Sequence, residues 1–140
     1  MGRRREGREA AVQYLFAHEL HEGHSAPSPE EQLGFWELHS AKAGARAYAE
    51  DLVRGVHLHL HDIDRHIRAA CDNFSIDRVG NVERNILRLA IYEFMEAKEV
   101  PAPVVINEAI EITKKFCSGE SSGFINGVLD RIAKELRPKT

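Results

Sequence analysis

The sequence predicts an all-α protein, folded as one compact bundle of about six to seven helices. Apolar residues recur three and four positions apart along most of the 140 residues, which is the spacing of a buried helix stripe. No segment shows the sustained alternation of apolar and polar residues that is typical of strands. Hydrophobic residues make up 43% and charged residues 29% of the chain, which are the proportions of an ordinary globular domain.

The N-terminal third is expected to form two helices separated by a loop. Residues 10–20 carry one apolar stripe at helical spacing, formed by Ala11, Val12, Leu15, Phe16 and Leu20. Residues 21–29 concentrate glycine, serine and proline, which end helices and predict an exposed loop. A short helix over residues 30–38 follows, because Pro29 suits the first turn of a helix.

The middle of the chain predicts a long helical region and a buried central helix. Residues 41–71 lack proline and carry a stripe of alanine, leucine and valine, so we expect helix there, with a break near His61. Residues 86–95 are apolar around nearly the whole helix circumference, and such a helix must be buried on all sides. This stretch is therefore the expected centre of the bundle.

Two further helices are expected in the C-terminal part. Pro101 and Pro103 end the central helix and favour a new helix start, after which apolar spacing continues to Phe116. A loop rich in serine and glycine follows. The last helix is expected over about residues 121–136, where apolar spacing resumes before Pro138 stops it.

The first ten residues are basic, while the rest of the chain is acidic. They hold four arginines and two glutamates, so their charge is +2, and the total of −3 leaves −5 on the remainder. Guanidinium groups bind phosphate oxygens and stack on unpaired bases. At a helix N-terminus these charges oppose the macrodipole, and Gly7 lowers helicity, so we expect residues 1–8 to form a flexible arm that RNA orders. A basic terminus that only improves solubility remains the alternative.

The sequence contains none of the familiar catalytic or metal-binding motifs. It lacks a phosphate loop, a nucleophile elbow, a zinc helix and a dinucleotide fingerprint, so we expect no enzyme and no cofactor. Cys71 and Cys117 are far apart, and no ligand set completes the pair of His57 and His61, so we expect no metal. No apolar run approaches the roughly 20 residues of a membrane span, and we expect a cytoplasmic protein.

The C-terminal third carries a distinctive combination of short motifs. It consists of Val100-Pro101, Ile-Asn-Glu-Ala-Ile-Glu at 106–111, Phe116, and Phe-Ile-Asn-Gly-Val-Leu-Asp at 124–130. With Arg-Glu-Ala-Ala-Val-Gln at 8–13 and the stretch 84–93, it resembles the NusB family of transcription antitermination proteins. Residues 21–79 match that family mainly in helical pattern. The resemblance implies a single NusB-like domain of two three-helix subdomains, residues 9–73 and 74–140, behind the flexible arm.

The resemblance also implies a function. Such a protein would be a transcription antitermination factor that binds boxA-type single-stranded RNA together with NusE, a ribosomal protein of the small subunit. It would support antitermination of ribosomal RNA transcription and meet the RNA polymerase elongation complex indirectly. Two alternatives remain open at this point: a structural helical homodimer, and an RNA-docking module without an antitermination role.

The resemblance assigns two sets of surface residues. The RNA surface would comprise Arg3, Arg4, Arg5, Arg8, Lys114, Glu120, Ser121 and Phe124. The NusE surface would comprise Phe16, Asp77 and Glu83. An aromatic ring can stack on a base and a serine can donate to phosphate, although the spacing of both phenylalanines also suits core packing. The sequence departs from the family pattern at Glu6-Gly7 within the arm and at Gly123.

Overall fold

The computed structural model describes residues 2–22, 28–39, 43–71 and 79–138, with the side chains of residues 2, 3, 21, 22 and 43 excepted. Every regular element in these ranges is a helix, which confirms the all-α prediction. None of these helices is long and apolar enough to cross a membrane. The elements are α1 (Gly2–Glu22), α2 (Pro29–Leu38), α3 (Ala43–Leu58), α4 (Leu60–Ala70), α5 (Asn81–Glu96), α6 (Ala102–Phe116) and α7 (Gly119–Leu136).

Helix α5 is the centre of the bundle, as predicted. It packs against α1, α3, α4, α6 and α7. Every residue from Asn85 to Phe94 except Tyr92 is buried, and Leu87, Ile91 and Phe94 are fully enclosed. The apolar side chains of all seven helices join one continuous core around it.

The helix boundaries follow local signals in the sequence. Ser28 caps α2, since its Oγ accepts from the Glu31 amide at 3.1 Å, and Pro29 occupies the first turn. The long helical region divides at His59, close to the break expected near His61, because His59 leaves helical geometry with φ −106° and ψ 15°. Among the described residues, α1 to α4 precede residue 73 and α5 to α7 follow it.

Helix α1 begins at Gly2, so the segment expected to be a flexible arm is helical. Gly7, which was expected to disfavour helix, is a point where α1 approaches α3 closely. A Cβ there would lie 2.7 Å from Cδ2 of Tyr48 and 3.0 Å from the carbonyl oxygen of Ala45. Close packing of this turn, together with the ion pairs of Arg5 and Arg8, offsets the unfavourable dipole interaction. Helix α7 likewise starts at Gly119, two residues before the predicted position.

Arg137 closes the C-terminal end of α5. Its guanidinium donates to the carbonyl oxygens of Phe94 (2.9 Å), Ala97 (3.0 Å), Val100 (3.0 Å) and Glu93 (3.2 Å). The last carbonyls of a helix have no partner within the helix, so a cation placed there meets both their hydrogen-bonding need and the helix dipole. Arg137 thereby fixes the end of α7 onto the end of α5.

Candidate nucleic-acid interface

The start of α1 presents guanidinium groups beside α6. Arg4 is exposed and lies over the ring of Tyr48, 5.8 Å from its centroid. Arg5 is 41% exposed and donates to both carboxylate oxygens of Glu108, at 3.0 and 2.6 Å. The side chain of Arg3 lies outside the described residues. An open groove of about 630 Å³ runs between the two helices, lined by Arg4, Arg5, Arg8, Val100, Pro103, Val104, Asn107 and Glu108.

Arg8 points into the protein, unlike its neighbours in the sequence. Its side chain is 4% exposed, and its guanidinium donates to both oxygens of Glu93 at 2.8 Å. The hydroxyl of Tyr48 donates to the same carboxylate at 3.2 Å. The prediction that Arg8 contacts RNA therefore needs correction, because this guanidinium is already held inside by a bidentate partner. The helical path of α1 turns position 8 toward α5 and away from solvent.

Two carboxylates of the fold, Glu108 and Glu19, are stabilised as anions. Hydrogen bonds from Arg5 lower the pKa of Glu108 below its ordinary 4.5, against the opposing effect of burial. Burial alone would raise the pKa of Glu19, but hydrogen bonds from Arg84 and Arg88 outweigh it and lower that pKa below 4.5. Both groups therefore bind protons more weakly in the folded state than in the unfolded state.

The stability of the protein should fall in acid for this reason. A carboxylate with a lowered pKa in the folded state contributes stability above its unfolded pKa and loses it as the pH falls through the folded value. We expect the free energy of unfolding in urea to decline below pH 4.5, the ordinary value for Glu19 and Glu108. Glu19→Gln should be less stable than the parent protein at neutral pH and show a weaker acid dependence. A free energy of unfolding that is constant down to about pH 3 would contradict this expectation.

The start of α7 faces the start of α5 across a second groove. This α5–α7 groove has a volume of about 340 Å³ and is lined by Val79, Gly80, Glu83, Ser118, Glu120, Ser121 and Phe124. The Ser121 hydroxyl donates to the Glu83 carboxylate at 2.7 Å. Glu120 is exposed, and Phe124 packs partly against the core while keeping part of its surface open. Ser121, which was assigned to RNA, is thus hydrogen-bonded to Glu83, which was assigned to NusE.

Helix α6 connects the basic start of α1 with the start of α7. Glu108 on α6 meets Arg5, and two turns later Lys115 meets Glu9 of α1 at 2.9 Å. Seven residues of helix span about 10 Å, so the two contacts lie that far apart along one face of α6. Lys114 is exposed and pairs with Glu111 at 3.3 Å. The sequence prediction missed Lys115, although its position beside Lys114 could have suggested it.

The residues assigned to NusE lie where α1 and α5 meet. Phe16 is partly exposed on α1, one turn before Glu19. Glu19 accepts from Arg84 at 3.0 Å, and Arg84 adjoins Glu83 at the start of α5. Asp77 lies outside the described residues. Phe16 on α1 and Glu83 on α5 therefore belong to two helices that are in direct contact.

A buried network of charges behind this face was not predicted. Arg88 donates to both oxygens of Asp64 at 2.8 and 3.0 Å and to Glu19 at 2.9 Å. It links α5 to α4 and α1. The sequence does contain a signal: charged residues within the apolar central helix must have buried partners, since an unpaired buried charge is strongly unfavourable.

The histidines expected to bind no metal are separated in the structure. His57 packs edge-on against the ring of His18, with centroids 4.9 Å apart, whereas His61 is exposed. Within the described ranges, no three His, Cys, Asp or Glu side chains are grouped so that they could hold a metal ion.

Comparison with known proteins gives one consistent result. The NusB family model matches residues 5–134. The transcription antitermination protein NusB of Geobacter sulfurreducens is 45% identical over 139 residues, covering 99% of both chains. The structure of T. maritima NusB superposes with a TM-score of 0.79 at 36% identity, covering 94% of this chain and 91% of that one. A crystal structure of the antitermination factors NusB and NusE in complex with dsRNA gives a TM-score of 0.80 at 30% identity, covering 96% of this chain and 98% of that one. The chain therefore belongs to the NusB family.

Proposed function

We propose that this protein is a transcription antitermination factor that binds boxA-type single-stranded RNA together with NusE. It would support antitermination of ribosomal RNA transcription in the cytoplasm as a non-enzymatic adaptor and meet RNA polymerase indirectly. Family membership supports this, as does a solved complex of a related NusB with NusE and RNA. The observation that carries the proposal is the row of cationic side chains that starts with exposed Arg4 and continues along α6 toward the α5–α7 groove.

The RNA surface follows this row. Arg4 and the outer part of Arg5 contact phosphates at one end, and Lys114 and Lys115 continue the positive charge along α6. At the other end, Phe124 offers an aromatic surface to a base and Ser121 a hydroxyl, while Glu120 accepts from base amino groups. Arg3, whose side chain lies outside the described residues, is assigned to the same RNA surface. Arg8 acts indirectly, by fixing the first turns of α1 through its pair with Glu93.

The NusE surface occupies the neighbouring region. Phe16 supplies an apolar anchor, and Glu83 with Asp77 supplies negative charge, a combination that suits a basic protein partner. The two proposed surfaces share the α5–α7 groove, so one RNA strand and one protein partner can meet there. This arrangement supports joint binding of both partners rather than exclusive binding of either.

Replacing Arg4 tests the RNA surface with little risk to the fold, because Arg4 is exposed. We expect Arg4→Ala to weaken binding of labelled boxA-type RNA, measured by fluorescence anisotropy with NusE present. The slope of log affinity against log salt should fall by about 0.7, the value for one phosphate contact on a single strand. The matched control is Arg65→Ala on α4, which removes an arginine that is also exposed and pairs with its neighbour Asp62. Equal affinities and slopes for the parent protein and Arg4→Ala would argue against this surface.

A further inference from the structure

Glu83 occupies a special position in the α5–α7 groove. Its carboxylate accepts from the Ser121 hydroxyl at 2.7 Å. Burial, then the Glu83 charge, raises the pKa of the Cys117 thiol to about 11, so the thiol keeps its proton near neutral pH. Ser121 and Cys117 lie at the junction of α6 and α7, and both are neutral. Among the described residues, no Lys, Arg or His forms an ion pair with Glu83, so no described cation neutralises its negative charge.

This arrangement weakens the anion-binding ability of the α7 start. A serine hydroxyl has one proton, and while Ser121 donates it to Glu83 it cannot donate it to a phosphate. The carboxylate charge also lies one hydrogen bond away from that position, where it repels a phosphate group. In the free protein, the Ser121 hydroxyl that would contact RNA is therefore already engaged by Glu83.

We propose that Glu83 couples the two binding surfaces: a cationic side chain of the protein partner pairs with its carboxylate, which releases the Ser121 hydroxyl for RNA. This inference rests on the proposed function, since it takes Ser121 as an RNA contact and Glu83 as a contact of a basic partner. The cation neutralises the repulsive charge and competes for the same carboxylate oxygens. Partner binding then raises RNA affinity, and by linkage RNA binding raises partner affinity by the same factor.

The coupling is measured as RNA affinity with no NusE and with saturating NusE. For the parent protein we expect NusE to raise RNA affinity at least about fivefold, the lower end of typical coupling between two sites. Glu83→Gln removes the charge while keeping the side-chain shape. It should bind RNA more tightly than the parent protein without NusE, and saturating NusE should raise its affinity by a clearly smaller factor. In a double-mutant cycle, Ser121→Ala should remove most of the gain that Glu83→Gln gives.

Glu120→Gln is the matched control. Glu120 lines the same groove, but it forms no hydrogen bond with Ser121 in the structure, so its loss should leave the factor gained from NusE unchanged. If Glu83→Gln and Glu120→Gln have the same NusE-dependent factor as the parent protein, the coupling role is overturned while RNA and NusE binding stand. If both lower that factor equally, a general charge effect replaces the specific contact. If the parent protein binds neither boxA-type RNA nor NusE, the proposed function itself fails.

Discussion

Arg8→Ala is expected to lower the free energy of unfolding by roughly 3 to 5 kcal/mol, the typical effect of removing one partner from a buried ion pair. Glu93 would remain enclosed, 1% exposed, with only the Tyr48 hydroxyl as a described side-chain donor. The packing of the first turns of α1 on α3 and α5 would weaken as well. Urea denaturation followed by far-UV circular dichroism measures this effect directly.

Arg5→Ala is the informative comparison for Arg8→Ala. Arg5 also forms a bidentate contact with a carboxylate, but it is 41% exposed, so water can replace its hydrogen bonds. We expect a much smaller change in stability for Arg5→Ala. If Arg8→Ala unfolded at the same urea concentration as the parent protein, the assigned internal role of Arg8 would be wrong. Comparing the two variants also separates losses of RNA affinity caused by unfolding from losses caused by a missing contact with RNA.

Arg88→Ala should have an effect of similar size, roughly 3 to 5 kcal/mol, for a related reason. Arg88 is the common partner of Asp64 and Glu19, so its removal leaves Asp64 without its cation and Glu19 with Arg84 alone. Asp64 is only 6% exposed and cannot recover its solvation without opening the structure. Thermal and urea unfolding should both show the loss.

Two further variants make the Arg88 prediction specific. Arg65→Ala removes an exposed arginine of α4 that pairs with Asp62, and we expect a change within about 0.5 kcal/mol. The double variant Arg88→Leu with Asp64→Leu should be more stable than Arg88→Ala, because it removes a buried charge together with its partner. If the double variant were less stable than Arg88→Ala, the packing of these side chains, and not the pairing of their charges, would be what stabilises the protein.

Much of the fold could be predicted from periodicity and local breakers. The spacing of apolar residues located each helix, and the apolar circumference of residues 86–95 identified the central one. The break expected near His61 lies at His59; its exact position could not be predicted, because neither proline nor glycine marks it. The start of α1 was placed too late because its arginines were treated as solvent-facing charges, and their carboxylate partners lie far along the chain.

The candidate site also has features that periodicity could predict and features that it could not. Arg8 stands four residues before Val12 and seven before Leu15, so extending the buried stripe backward would have placed it inside. Its partner could not be found by such reasoning, because Glu93 lies 85 residues away and periodicity does not say which helices meet. The contact between Ser121 and Glu83 was beyond prediction for the same reason, although both residues were singled out individually.

The cap that Arg137 places on α5 has a consequence for the order of events during biosynthesis. The carbonyl of Phe94 receives its donor from a residue 43 positions later, so the central helix cannot be completed in this way until the ribosome has translated past position 137. A nascent chain that lacks this segment exposes the unsatisfied end of its central helix. Chains that end before this point should therefore be cleaved faster by proteases than chains that include Arg137 and have left the ribosome.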